Sequence, residues 1–95
     1  MPYAFSQDVP IDAATYHRVS GLIGDEPPQG MVSHVVVELP DGGLRITDVW
    51  ESEEACNKFG DTRLMPALRT VLGDEMMDMP PPPREELAVV HVWQP

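Results

Sequence analysis

Ninety-five residues make one small domain, residues 1–95, whose own core is modest and gains much from pairing with a second copy. Sixteen acidic residues against six basic ones give a formal net charge of −10, which repels nucleic-acid phosphates and anionic membrane surfaces alike. A lone cysteine, Cys56, excludes an intramolecular disulfide. The apolar runs are too short to span a bilayer and the N-terminus lacks a secretion pattern, so a cytoplasmic setting is expected.

Tyr3 to Val9 alternates as a strand, with Tyr3, Phe5, Gln7 and Val9 on one face, and Pro10 ends it. Asp12 is suited to cap a helix that carries Tyr16, Val19, Leu22 and Ile23 on one side, and Gly24 to close it. Asp25 to Gly30 reads as a loop.

Met31 to Leu39 and Leu44 to Glu51 are the next two strands, joined at Pro40-Asp41-Gly42-Gly43 as a hairpin. A two- or four-residue turn predicts one register. Leu39 faces Leu44, Val37 faces Ile46, Val35 faces Asp48 and Ser33 faces Trp50. On the other side Glu38 is opposite Arg45, Val36 opposite Thr47 and His34 opposite Val49. The first side is apolar enough to lie under helices. The second carries Val32, Val36 and Val49 and calls for a further sheet to cover part of it.

Ile46, Asp48 and Trp50 end a strand that runs directly into a helix. Ser52 offers the capping oxygen, Glu53 and Glu54 suit the positive helix end, and Ala55, Cys56 and Phe59 begin the apolar stripe. Gly60 and Pro66 predict a kink or restart near residues 61–66, and Gly73 a stop. Asp74 to Glu86 contains four consecutive prolines, Pro80 to Pro83, and reads as an irregular excursion. Leu87 to Trp93 alternates as the last strand. The order strand, helix, strand, strand, helix, strand is that of an α+β, ferredoxin-like fold: four antiparallel strands with two helices on one face.

The segment Val49-Trp50-Glu51-Ser52-Glu53-Glu54-Ala55, with Phe59 a turn further on, resembles the antibiotic biosynthesis monooxygenase-like family of dimeric α+β barrels. Gly30-Met31-Val32-Ser33-His34, Asp48 to Ser52 and Val90-His91 are similar to small actinobacterial members of it. The resemblance implies a homodimer whose two sheets stack face to face, with an apolar cavity between sheet and helices. It further implies activities that include cofactor-independent oxidation of aromatic polyketides or quinols. Haem-degrading members share the Trp-Glu-Ser-Glu segment, but Phe59 and Arg69 stand where they carry a second tryptophan and the haem-ligating histidine. No cofactor is therefore expected.

Six residues are candidates for a site. Asp48 falls on the face predicted to be buried, where a carboxylate needs donors or a raised pKa, and a raised pKa suits a general base. The structural reading gives it hydrogen bonds to backbone, Ser33, Tyr16 or a histidine. His34 and His91 are the alternative bases near neutral pH, and for each a structural hydrogen bond competes with that role. Trp50, Phe59 and Tyr16 are candidates to shape a pocket for a small aromatic ligand, although a core position also explains Trp50. The three histidines have no metal-ligand spacing, and Cys56 reads as buried filler. The leading functional expectation is oxidation of an aromatic or polyketide-like compound without a cofactor. A non-catalytic ligand-binding or regulatory homodimer, and a cyclase or isomerase, are the other two.

Overall fold

Alternation, capping and turn chemistry account for the first half of the chain. The computed structural model describes residues 2–93. In it β1 spans Tyr3–Val9, α1 Ala13–Ile23, β2 Met31–Glu38 and β3 Leu44–Trp50. Asp12 caps α1 by accepting the Thr15 N–H at 2.8 Å. Gly24, at φ 96°, closes it.

The passage from β3 into the helices follows the expected chemistry. Ser52 Oγ accepts the Ala55 N–H at 3.1 Å, and α2 spans Glu53–Phe59 with Glu53 and Glu54 in its first turn. A π-helical turn, Gly60–Leu64, then leads into α3, Met65–Leu72. The Met65 N–H reaches back to the Gly60 carbonyl, one residue further than in an α-helix. This wider turn is the disturbance expected near residues 61–66. Pro66 has no N–H to give, and Gly60 yields easily. Gly73 stops α3, as expected, and a short α4 of Asp74–Met77 forms inside the excursion that reads as irregular. Arg63 ties the turn to the end of α1, its Nη2 donating to the carbonyls of Ile23 and Glu26 at 2.9 and 3.0 Å.

The four strands lie in the order β2-β3-β1-β4, with β4 at Arg84–Leu87 and every neighbour antiparallel. The fold is α+β and ferredoxin-like. Phe5, Trp50 and Cys56 form the centre of the core, and Tyr3, Met31, Ala55 and Phe59 pack around them. Gly30 sits at φ 87°, where a Cβ would come within 2.6 Å of the Ala55 Cβ, so only glycine lets β2 begin so close to α2.

Two expectations are corrected. The hairpin register is shifted by one: Glu38 pairs with Leu44, Val37 with Arg45, Val36 with Ile46, Val35 with Thr47 and His34 with Asp48. The turn is a three-residue loop. The Leu39 N–H bonds to the Gly43 carbonyl at 2.8 Å, the Gly42 N–H to the Leu39 carbonyl at 2.9 Å, and Gly42 takes φ 88°. That is a type I turn with a glycine bulge, and its odd loop length exchanges the faces of β2. Val35 and Val37, expected under the helices, are therefore 51% and 46% exposed on the open face. A bulge between Met31 and Ser33 then brings Met31, not Ser33, opposite Trp50.

The second correction concerns the last strand. β4 ends at Leu87, where the expected strand begins. Its ladder with β1 runs from Gln7↔Arg84 to Ala4↔Leu87, and β1 has only Tyr3 beyond that point. Residues 88–93 carry the alternation of a strand but have no neighbouring strand to bond to.

Candidate functional site

The corrected register assembles the site. Asp48 is in the middle of β3, and His34 lies directly across from it on β2. Asp48 is only 6% exposed, and both of its carboxylate oxygens are engaged. Oδ1 accepts from His34 Nδ1 at 2.5 Å, and Oδ2 accepts from Trp50 Nε1 at 3.2 Å. A buried carboxylate needs such donors, and here two side chains of the same sheet face supply them. The backbone does not, and Ser33 is on the other face.

The array continues outward. His34 Nε2 lies 2.7 Å from the Tyr16 hydroxyl on α1, with the two rings nearly parallel at 22°. An ionised carboxylate only accepts, so Nδ1 carries the proton toward Asp48. In the neutral ring Nε2 is then an acceptor and the Tyr16 O–H donates to it. The result is a line of four groups, Trp50, Asp48, His34 and Tyr16, that runs from the core to a side chain that is 31% exposed at His34.

The electrostatics follow from the carboxylate. The hydrogen bond that His34 donates to Asp48, helped by the carboxylate charge, raises His34 above the ordinary histidine value of 6.5 despite partial burial. Burial, and to a lesser degree the Asp48 charge, also push the Tyr16 phenol above its usual value. His34 is thus a stronger base than a free imidazole, and Tyr16 is held as a protonated donor.

Trp50 is fully buried, its ring 5.5 Å from that of Phe59. Both are core groups, and the N–H of Trp50 goes to a carboxylate instead of the backbone carbonyl that a core reading suggests. Four of the six sequence-predicted residues, Asp48, His34, Tyr16 and Trp50, form one hydrogen-bonded set, and Phe59 packs behind it. His91 does not join them. It is exposed in the segment after β4, with Trp93 edge-on at 5.3 Å.

What the sequence reading missed is the pairing of His34 with Asp48. Pro40 and Gly42 signal it, since proline suits the second position of a type I turn and glycine the left-handed residue of a three-residue hairpin. Two concavities lie elsewhere. A groove of about 520 Å³ is lined by Ser6, Asp8, Arg45, Pro83, Arg84 and Glu85, and there Arg45 is already held by Asp8 at 2.7 and 3.0 Å. Another, about 350 Å³, lies between α1 and α3.

Cys56 is 4% exposed, and burial raises its thiol pKa, consistent with filler. Among the described residues no group of three or more His, Cys, Asp or Glu side chains is placed to hold a metal ion. No helix among them is long and apolar enough to cross a membrane.

No family model matches the chain. No curated protein matches it either. Solved structures do. One is a Chloroflexus aurantiacus J-10-fl protein provisionally named an antibiotic biosynthesis monooxygenase, with a TM-score of 0.69 at 17% identity over 99% of this chain and 98% of that one. Another is Rv0793 from Mycobacterium tuberculosis, with a TM-score of 0.63 at 16% identity over 99% of this chain and 100% of that one. At these identities the likeness is one of fold, and it agrees with the fold that the Val49–Ala55 segment and the element order suggest.

Proposed function

We propose that the Tyr16–His34–Asp48 array is a proton-transfer site of a cofactor-independent monooxygenase acting on a small aromatic or polyketide-like compound. The observation that carries this reading is the hold of Asp48 on His34, 2.5 Å from a carboxylate that is itself anchored by Trp50. That hold fixes one tautomer and turns Nε2 outward as a base of raised pKa.

The chemistry balances on the chain's own groups. A CH₂ flanked by aromatic or carbonyl groups gives its proton to the Tyr16 oxygen while the Tyr16 O–H passes to His34 Nε2. The carbanion supplies electrons to O₂ and a C–O bond forms. His34 returns the proton through Tyr16 to the peroxide oxygen. Loss of water then leaves a C=O, so that CH₂ and O₂ become C=O and H₂O. Trp50 and Phe59 back the array and keep it dry on its inner side. The protein acts as a cytoplasmic homodimer in this reading, with the open sheet face of Val35, Val37 and Leu87 turned toward the second copy, as the exposure of these residues suggests.

The test is oxygen uptake with an anthrone-like hydroxyaromatic. Turnover should fall about 100-fold or more in His34→Gln and in Asp48→Asn. It should rise with pH as His34 loses its proton. Equal turnover in both variants defeats the mechanism, and turnover without O₂ moves the protein to the cyclase or isomerase class. A second reading, a non-catalytic ligand-binding dimer, is favoured by one observation: Tyr16 already occupies the outward nitrogen of His34. Ligand binding without product formation is its signature.

A further inference from the structure

The groove between α1 and α3 is separate from the Tyr16–His34–Asp48 array, because none of the residues that line it belongs to a strand. It opens where the π-helical turn, Gly60–Leu64, meets the end of α1, and Ala67 in the next turn is too small to fill the space. Leu22, on the side of α1 that the sequence pattern makes apolar, is left 56% exposed there. Leu22, Ile23, Pro66 and Ala67 give the groove apolar walls, and its volume of about 350 Å³ suits a small molecule.

Its polar groups are unequal. Thr62 Oγ donates to the Lys58 carbonyl at 2.6 Å and Thr70 Oγ to the Pro66 carbonyl at 3.0 Å, so both hydroxyl hydrogens are engaged and only acceptors are left. Arg63 is the sole ionisable residue in the lining, and it is half-buried. Its Nη2 donates to the carbonyls of Ile23 and Glu26, and its guanidinium lies 5.7 Å from the centre of the Phe59 ring. Neither contact neutralises it. Among the described residues the arginine–carboxylate pairs take up Arg45 and Arg69 and leave Arg63 without a carboxylate. The donors of its Nε and Nη1 remain for an incoming anion. In a chain of net charge −10, this is a cation with an apolar wall beside it and no acidic group in the lining. Such a place favours an anion with an apolar body.

We propose that the groove between α1 and α3 binds a small carboxylate with a ring-sized apolar body, its carboxylate on Arg63 and its body against Leu22, Ile23, Pro66 and Ala67. The oxygens of Thr62 and Thr70, left as acceptors, suit a hydroxyl on that body. The ligand bridges α1 and α3 beside the tie that Arg63 already makes between them, and so steadies the helix that carries Tyr16. The site is distinct from the proton-transfer array and does not depend on the oxidation reading.

Titration of the full chain with phenylacetate, followed by amide NMR, tests this. The amides of Leu22, Thr62 and Thr70 should shift and saturate. Phenylacetamide, the uncharged analogue, should bind about tenfold more weakly or worse. Arg63→Gln should weaken phenylacetate binding by about tenfold or more. Because Arg63 also ties down α1, Leu22→Glu serves as a second variant. It alters an exposed position, should keep its circular dichroism spectrum, and should weaken binding by placing a like charge in the groove. Groove amides that do not move at millimolar phenylacetate overturn the site. Equal binding of phenylacetamide, or unchanged binding in both variants, overturns the role of Arg63. Shifts at Tyr16 and His34 with none at Leu22 and Thr70 place the carboxylate at the proton-transfer array and overturn the groove as its site.

Discussion

The two tryptophans of this chain end similar stretches of sequence and meet opposite fates. Trp50 closes Ile46-Thr47-Asp48-Val49-Trp50 and is completely buried, whereas Trp93 closes Val89-Val90-His91-Val92-Trp93 and is 88% exposed. Each has a histidine close by. His34 is fixed on both ring nitrogens, by Asp48 and Tyr16, while His91 touches Trp93 edge-on in the open. The difference is not in the pattern of either segment. Trp50 has strands on both sides and helices above it, and Asp48 supplies an acceptor for its N–H. The segment of Trp93 has left its sheet. Alternation makes a strand available, and neighbours decide whether it is used.

Mutations can sharpen this contrast. Trp50→Ala should cost about 3–5 kcal/mol, a large share of the stability of a small domain, read from the midpoint of urea unfolding. Asp48→Ala should cost about 3 kcal/mol, because it strands the buried Trp50 N–H and the Nδ1–H of His34 together. Asp48→Asn should recover part of that loss while moving the His34 titration, followed by NMR, down toward 6.5.

The pH dependence has a definite sign. His34 is raised in the folded state, so its contribution to stability is fully present below pH 6.5 and is lost as pH rises through its folded value. Unfolding midpoints between pH 6 and pH 9 should fall in the wild type and flatten in His34→Gln. Tyr16→Phe should cost about 1 kcal/mol, the worth of one part-exposed hydrogen bond. Trp93→Ser should change stability by less than about 0.5 kcal/mol, measured by urea unfolding at low protein concentration. A large loss there would mean that the tail packs on its own subunit.

Much of the fold was legible from local chemistry. Asp12 and Gly24 bound α1, Ser52 starts α2, and Pro66 with Gly60 marks the π-helical turn, because caps, left-handed glycines and missing N–H groups act on their own neighbourhoods. That Asp48, on an apolar face, needs hydrogen-bond partners was legible too, whichever they are. Those partners were not legible. His34 reaches Asp48 only because the loop at Pro40 to Gly42 has three residues, and a shift of one residue in register turns every side chain of β2 to the other face.

Composition and short-range pattern thus determined which segments become helices and strands, and that one carboxylate would be buried. The tertiary structure decided which histidine joins that carboxylate and where β4 stops. Both are settled by pairing between segments distant in the chain, whose hydrogen bonds and packing no local preference encodes.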